Sequence, residues 1–210
     1  VPGMAATDPL PDLRPVTRAH RKALLRHLPD APILLGSAPE ATRNGDVTFA
    51  YRQSSDLLWL TGASEPGYTL LLDARSGHET LFVPKLTQKH AVWLGHIPSR
   101  AEAREAFGIR DVRYHEDLPG LLKKAAGGRR SLHVDAFARR SARRALPGAK
   151  PVETELREAL HELRLFKDAG ELALLRRAGE AAGAGHRAAM RAAGPDLREY
   201  QVQAELEREF

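Results

Sequence analysis

No cysteine occurs anywhere in the 210 residues, which excludes disulfides, thiolate catalysis and Cys-ligated zinc together. No apolar run approaches the ~18 residues that a membrane-crossing helix needs. The first residues also lack a signal-peptide core. The expectation is a cytoplasmic protein with no membrane partner. Lysine is scarce: of the 32 basic residues only seven are Lys and 25 are Arg. An Arg-, Ala- and Leu-rich chain of this kind reflects coding bias more readily than a nucleic-acid footprint. Arg139, Arg140, Arg143 and Arg144 do share one helix face. Aromatics are only 6% of the chain and none interleaves with these arginines, so the face reads as solvated and no nucleic-acid partner is expected. There is no Gly-x-Ser-x-Gly elbow and no phosphate-binding Gly loop. His161-Glu162 lacks the second His of a zinc-protease helix, because Leu165 stands at that spacing. His90 and His96, and His20 and His27, make no recognisable ligand pair. The carboxylate pairs Asp12 and Asp30, or Glu153 and Glu155, look like exposed charge.

What is present is a globular composition. With 42% hydrophobic and 28% charged residues, the chain can bury a core and stay in solution. Its length suits one large domain, or one domain plus part of another. Val1-Pro2-Gly3 ahead of Met4 reads as an added remnant, and residues 1–13 as a flexible, Pro-rich arm. Thr17 is a candidate cap for a helix carrying Ala19, Ala23, Leu24 and Leu28. Ile33-Leu34-Leu35 reads as a buried strand. A polar loop follows, with a turn at Asn44-Gly45.

The chain is organised around Tyr51–Pro66. Its centre, Leu57-Leu58-Trp59-Leu60, is a short apolar run between Ser54-Ser55-Asp56 and Thr61-Gly62, which predicts a strand buried on both faces. Thr69–Leu72 and Thr80–Val83 follow as second and third strands of a meander, turned at Ser76-Gly77. Leu86–Trp93 predicts a short helix. Ser99 with Glu102 is a capping box, and Gly108 stops that helix. Val112 and Tyr114 predict a strand, Asp117–Ala126 a helix, Leu132–Val134 a strand and Phe137–Ala145 a helix. Alternating elements predict an α/β fold, a mixed sheet covered by helices. Past Pro151 the pattern is helical only. Leu156, Leu160, Leu163 and Phe166 form one stripe, and Asp168 with Glu171 caps a second helix bearing Leu172 and Leu175. Pro195-Asp196 begins a third. A boundary is expected near 152, with 153–210 opening a further domain.

The run Tyr51, Arg52, Gln53, Ser55, Asp56, Thr61, Gly62, Glu65 and Pro66 resembles a signature of the Xaa-Pro aminopeptidases (aminopeptidase P). A second match covers Glu162-Leu163-Arg164-Leu165-Phe166-Lys167, then Glu171, Leu175, Arg176, Arg177 and Ala178, the segment leading into that family's catalytic domain. The resemblance implies a creatinase/prolidase-type amino-terminal domain over 14–152 and the first helices of an incomplete pita-bread metallopeptidase domain over 153–210. It further implies a homo-oligomer acting on peptides with proline in second position, through two divalent ions, usually manganese. The family's metal ligands (two Asp, one His, two Glu) lie past the point corresponding to Phe210. No catalytic or metal residue is therefore assigned here, and this chain alone is expected to be inactive. Trp93 matches a position that in bacterial members reaches a neighbouring subunit's active-site mouth, so it is the one candidate substrate-access residue. Its alternative is a packed core Trp. An aromatic pair often stands in the family where Leu57-Leu58 stand here, which leaves open a prolidase or creatinase relative. A non-catalytic binding module on the same domain is the other alternative.

Overall fold

The computed structural model describes residues 11–85 and 98–210. They fall into two compact units, one running Leu13–Phe166 and one containing Lys167–Phe210.

The first unit is built on β1 (Ile33–Gly36), all four of whose residues are buried. Burial on both faces is what a continuous apolar run predicts for a central strand. β4 (Thr69–Asp73) pairs with it antiparallel, with Leu34 opposite Leu71. β7 (Ser131–Val134) pairs with it parallel, with Ile33 opposite His133. β5 (His78–Val83) returns on β4 through a turn in which Gly77 takes φ 69°. β6 (Asp111–Tyr114) runs parallel to β5, and β8 (Lys150–Val152) parallel to β7. The six-stranded order is β6-β5-β4-β1-β7-β8. Pro151 sits in the edge strand, where its missing N–H breaks no ladder. A small separate hairpin, β2 (Thr42–Asn44) and β3 (Val47–Thr48), turns at the expected Asn44-Gly45.

Strand alternation divides the core. Ile33, Leu35, Leu70, Leu72, Leu81, Val83 and Val112 face one side. They pack with α1 (Arg14–His27), α2 (Ser55–Thr61), α3 (Arg100–Phe107) and α6 (Thr154–Leu163). Leu34, Leu71, Phe82, Leu132 and Val134 face the other side, with α4 (Leu118–Ala126) and α5 (Arg139–Ala145). This is a mixed α/β fold with helices on both faces of the sheet, as the alternation of elements predicts.

The structure corrects the sequence at its most prominent stretch. Leu57–Leu60 is not a strand at the centre of the sheet; it lies in helix α2. Ser54 caps that helix by accepting from the N–H of Leu57, and Gly62 closes it in the left-handed conformation at φ 77°. Leu57, Leu60 and Thr61 are buried while Trp59 is half-exposed, the i, i+3, i+4 spacing of a helix face. A four-residue apolar run carries no period of its own, so the caps decide between strand and helix. The third antiparallel strand beside β4 and β5 is therefore β1. Thr17 is an interior residue of α1, which begins at Arg14 with Pro15 in its first turn. β8 was not expected from the sequence. The Ser99 and Asp168 capping boxes both form.

The compact unit extends through α6, because Leu156, Ala159 and Leu160 are buried in its core. The second unit pairs α7 (Ala169–Ala192) with α8 (Glu199–Glu207). The chain reverses through Gly194, Pro195 and Asp196, which takes φ 66°, and Leu197 and Arg198 lead into α8. Leu172 and Leu175 of the predicted stripe are exposed, unlike Leu156 and Leu160. No helix among the described residues is long and apolar enough to cross a membrane.

Candidate functional site at the carboxyl end of the central strand

The Tyr51–Pro66 segment wraps the end of β1, and Gln53 holds it there. Its side-chain oxygen accepts from the N–H groups of Ala38 at 3.1 Å and Ser54 at 2.9 Å. Its amide nitrogen donates to Ser37 Oγ at 3.0 Å and to the Glu65 carbonyl at 2.7 Å. The Tyr51 hydroxyl lies 2.9 Å from the same Gln53 oxygen and 3.1 Å from the Ala38 carbonyl. Ser37 Oγ in turn accepts from the N–H of Tyr68. One buried amide thus ties together the loop leaving β1, the entry to α2 and the loop leaving α2. Burial, its largest influence, pushes the Tyr51 hydroxyl above its ordinary pKa.

α2 is pinned from below by α1. Arg21 is fully buried, paired with Glu79 of β5 at 2.9 Å, and donates to the Leu60 carbonyl at 2.8 Å. Desolvation is the largest influence on this guanidinium and pulls its pKa down, while Glu79 opposes the shift. His20 stacks on Trp59 with ring centroids 3.9 Å apart, and its Nδ1 lies 2.9 Å from the Trp59 carbonyl.

The positions of the signature separate by role. Gln53, Thr61 and Gly62 serve the local backbone, as does Ser54 at the variable position between them: Thr61 Oγ1 donates to the Leu57 carbonyl and accepts from the N–H of Ala63. Arg52, Ser55 and Glu65 are exposed, and Asp56 is half-buried. Arg52 donates to Ser55 Oγ at 3.3 Å, and Asp56 pairs with Arg164.

Two carboxylates join this end of the sheet: Asp135, which the sequence did not single out, and Glu153, which it marked as exposed charge and which is half-buried. Asp135 follows β7 and accepts from the N–H groups of Gly36, at 3.1 Å, and Ala138, at 2.7 Å. Burial, reinforced by the negative Asp56 and Glu153, pushes its pKa up to about 6 against those two hydrogen bonds. Glu153 follows β8 and pairs with Arg139. Gly36 must lack a side chain here, since a Cβ would come within 3.0 Å of the Ala138 nitrogen. An Asp just past a parallel strand is a readable signal of a sheet-end site. Of its two partners Ala138 is three residues on, but Gly36 lies 99 residues away, and local spacing cannot show that.

This end presents Arg52 and Glu65 to solvent on the frame that Gln53 ties together, with Asp56 half-buried beside them. It can orient charged groups of a neighbouring segment. Its carboxylates do not fit a dinuclear metal cage, because amides hold Asp135, Arg164 holds Asp56 and Arg139 holds Glu153. Trp93, the one candidate site residue from the sequence, lies outside the described residues, as does the helix expected over Leu86–Trp93.

Architecture and signature together define the class, a mixed α/β domain of the kind that carries the Tyr51–Pro66 signature. The aminopeptidase P N-terminal domain family matches residues 17–134, and the chain belongs to that family. The Xaa-Pro aminopeptidase of Escherichia coli (strain K12) is 30% identical, over 90% of this chain and 47% of that protein. The Xaa-Pro dipeptidase of Homo sapiens is 29% identical, over 77% of this chain and 34% of that protein. Among solved structures, zinc-substituted E. coli aminopeptidase P in complex with product superposes with a TM-score of 0.82 at 29% identity, covering 94% of this chain and 49% of that one. Proline aminopeptidase P II from Yersinia pestis gives 0.80 at 28% identity with the same coverage. The chain thus spans about half the length of the aminopeptidases it matches.

Proposed function

We propose that this chain is the front half of a metal-dependent Xaa-Pro aminopeptidase, which removes the first residue from peptides with proline in second position. The observation that carries the proposal is the reach of the E. coli aminopeptidase match, 90% of the chain, beyond the 17–134 of the family domain and into the helical tail. In this reading residues from about 153 open the catalytic metallopeptidase domain. Two divalent ions, manganese by preference, would be held by ligands that this chain does not supply, and would there activate water for attack on the peptide bond. The chain's own part is to frame substrate access and assembly. Arg52 and Glu65 are displayed on the Gln53 frame for that purpose, and Trp93 is assigned to substrate access on the strength of the family resemblance. The working enzyme is a cytoplasmic homo-oligomer.

The human dipeptidase match supports a second reading, a dipeptidase acting on Xaa-Pro itself. The test is a substrate series given to the longer protein with manganese. Cleavage of Xaa-Pro tripeptides in preference to Xaa-Pro dipeptides supports the aminopeptidase; the reverse preference supports the dipeptidase. Failure to cleave either, with metal bound, refutes both. In the same protein, Trp93→Ala is expected to raise KM or lower kcat while the Tm stays within about two degrees; a drop of several degrees with normal kinetics marks a core residue instead.

A further inference from the structure

The sheet face that carries Leu34, Leu71 and Phe82 is covered unevenly. Beyond Leu121 and Ala125 of α4 the cross-strand row turns polar. Leu71 of β4 stands opposite Thr80 of β5, and Thr80 opposite Asp111 of β6. In the next row Asp73 stands opposite His78. Here a cleft of about 630 Å³ opens between strands and helix, with Leu71, Leu121 and Ala125 as its apolar part. Small-molecule sites occupy roughly 300–1,000 Å³ and combine an apolar lining with a few polar groups, and this cleft has both properties.

The charges around the cleft are not equally committed. Asp111 accepts from Thr80 Oγ1 at 3.1 Å, His78 Nε2 at 3.0 Å and Arg113 Nε at 2.6 Å. Asp73 accepts from the Arg75 N–H at 3.0 Å and Ser76 Oγ at 2.6 Å. Both carboxylates are therefore spent on the wall itself. Arg110 and Lys124 also line the cleft. Their charged groups have no ion pair or hydrogen bond among the described residues. An apolar lining beside two uncommitted cations selects a ligand with an apolar body and one anionic group. We propose that this cleft binds a small amphipathic acid, its ring or short chain against Leu71, Leu121 and Ala125 and its carboxylate or phosphate held by Arg110 and Lys124. The site is independent of the peptidase reading, since none of its residues belongs to the Tyr51–Pro66 frame.

The probe is phenyl phosphate, titrated against the 210-residue chain by NMR beside benzoate, benzyl alcohol and benzylamine. The two acids are expected to saturate, with Kd in the millimolar range or tighter, moving resonances of Leu71, Leu121 and Ala125. Stronger binding of phenyl phosphate assigns a phosphate head group, and stronger binding of benzoate a carboxylate. R110Q/K124Q is expected to weaken either acid about tenfold with an unchanged Tm, because both residues are exposed and neither charged group has a partner among the described residues. Three results overturn the proposal: no saturation by either acid, equal binding of benzyl alcohol or benzylamine, or undiminished binding by the double variant.

Discussion

Asp135→Asn should change how stability depends on pH, and the size of the change follows from the surroundings of one carboxyl group. Burial and two nearby negative groups lift the Asp135 pKa from 3.8 to about 6 in the folded chain. A folded pKa above the unfolded one means that folding takes up a proton between these values. The resulting stabilisation is complete below about pH 4 and is lost as the pH rises through 6. A shift of some two pKa units corresponds to about 3 kcal/mol, an upper value for a side chain that water partly reaches. Asn carries no titrating charge. Its single oxygen can keep both bonds, because Asp135 Oδ1 already accepts from Gly36 and from Ala138. Urea unfolding of both proteins from pH 4 to 7 tests this. The unsubstituted chain should lose up to about 3 kcal/mol relative to D135N across that window, so that the variant is the more stable at pH 7. Parallel curves would show that Asp135 titrates normally, and the burial and charge argument would fail.

Other substitutions probe the frame. Gln53→Ala leaves the N–H groups of Ala38 and Ser54 without their acceptor, and should cost roughly 2–4 kcal/mol in urea unfolding; a loss near zero would mean that Gln53 is not the tie between the three segments. Trp59→Ala should cost only about 1–2 kcal/mol, because the ring is half-exposed and rests on His20, whereas a fully buried Trp would cost about 3–5. Gly185→Ala puts a Cβ 3.1 Å from the Leu206 carbonyl and 3.0 Å from the Phe210 ring. Hydrogen exchange in α8 should therefore quicken, although Ala favours helix by about 1 kcal/mol; unchanged protection would refute the close approach of α7 and α8.

Elements with their own punctuation were legible in the sequence. The Ser99 and Asp168 capping boxes, the Gly108 stop and the Asn44-Gly45 turn each fix local backbone by local hydrogen bonding, so spacing alone reveals them. Leu57–Leu60 was misread because its length suits either a strand or a helix. The deciding caps, Ser54 and Gly62, also bound strands. β8 escaped notice because three residues containing Pro151 carry no pattern; it exists through pairing with β7. The signature segment was found, but the chemistry within it divides by burial, which sequence does not display. Gln53 is the hub and Arg52 beside it faces water. Asp135 and Arg164 reach Gly36 and Asp56 only across 99 and 108 residues of chain.

The central claim, that this chain frames a peptidase site without supplying its reactive groups, is tested most directly by turnover. Purified residues 1–210 and the longer protein are each given an Xaa-Pro tripeptide with manganese, and release of the first amino acid is measured. The account predicts release by the longer protein and none by the 210-residue chain, for want of a metal-bound hydroxide. Turnover by the 210-residue chain, persisting after any full-length contaminant is removed, would contradict it.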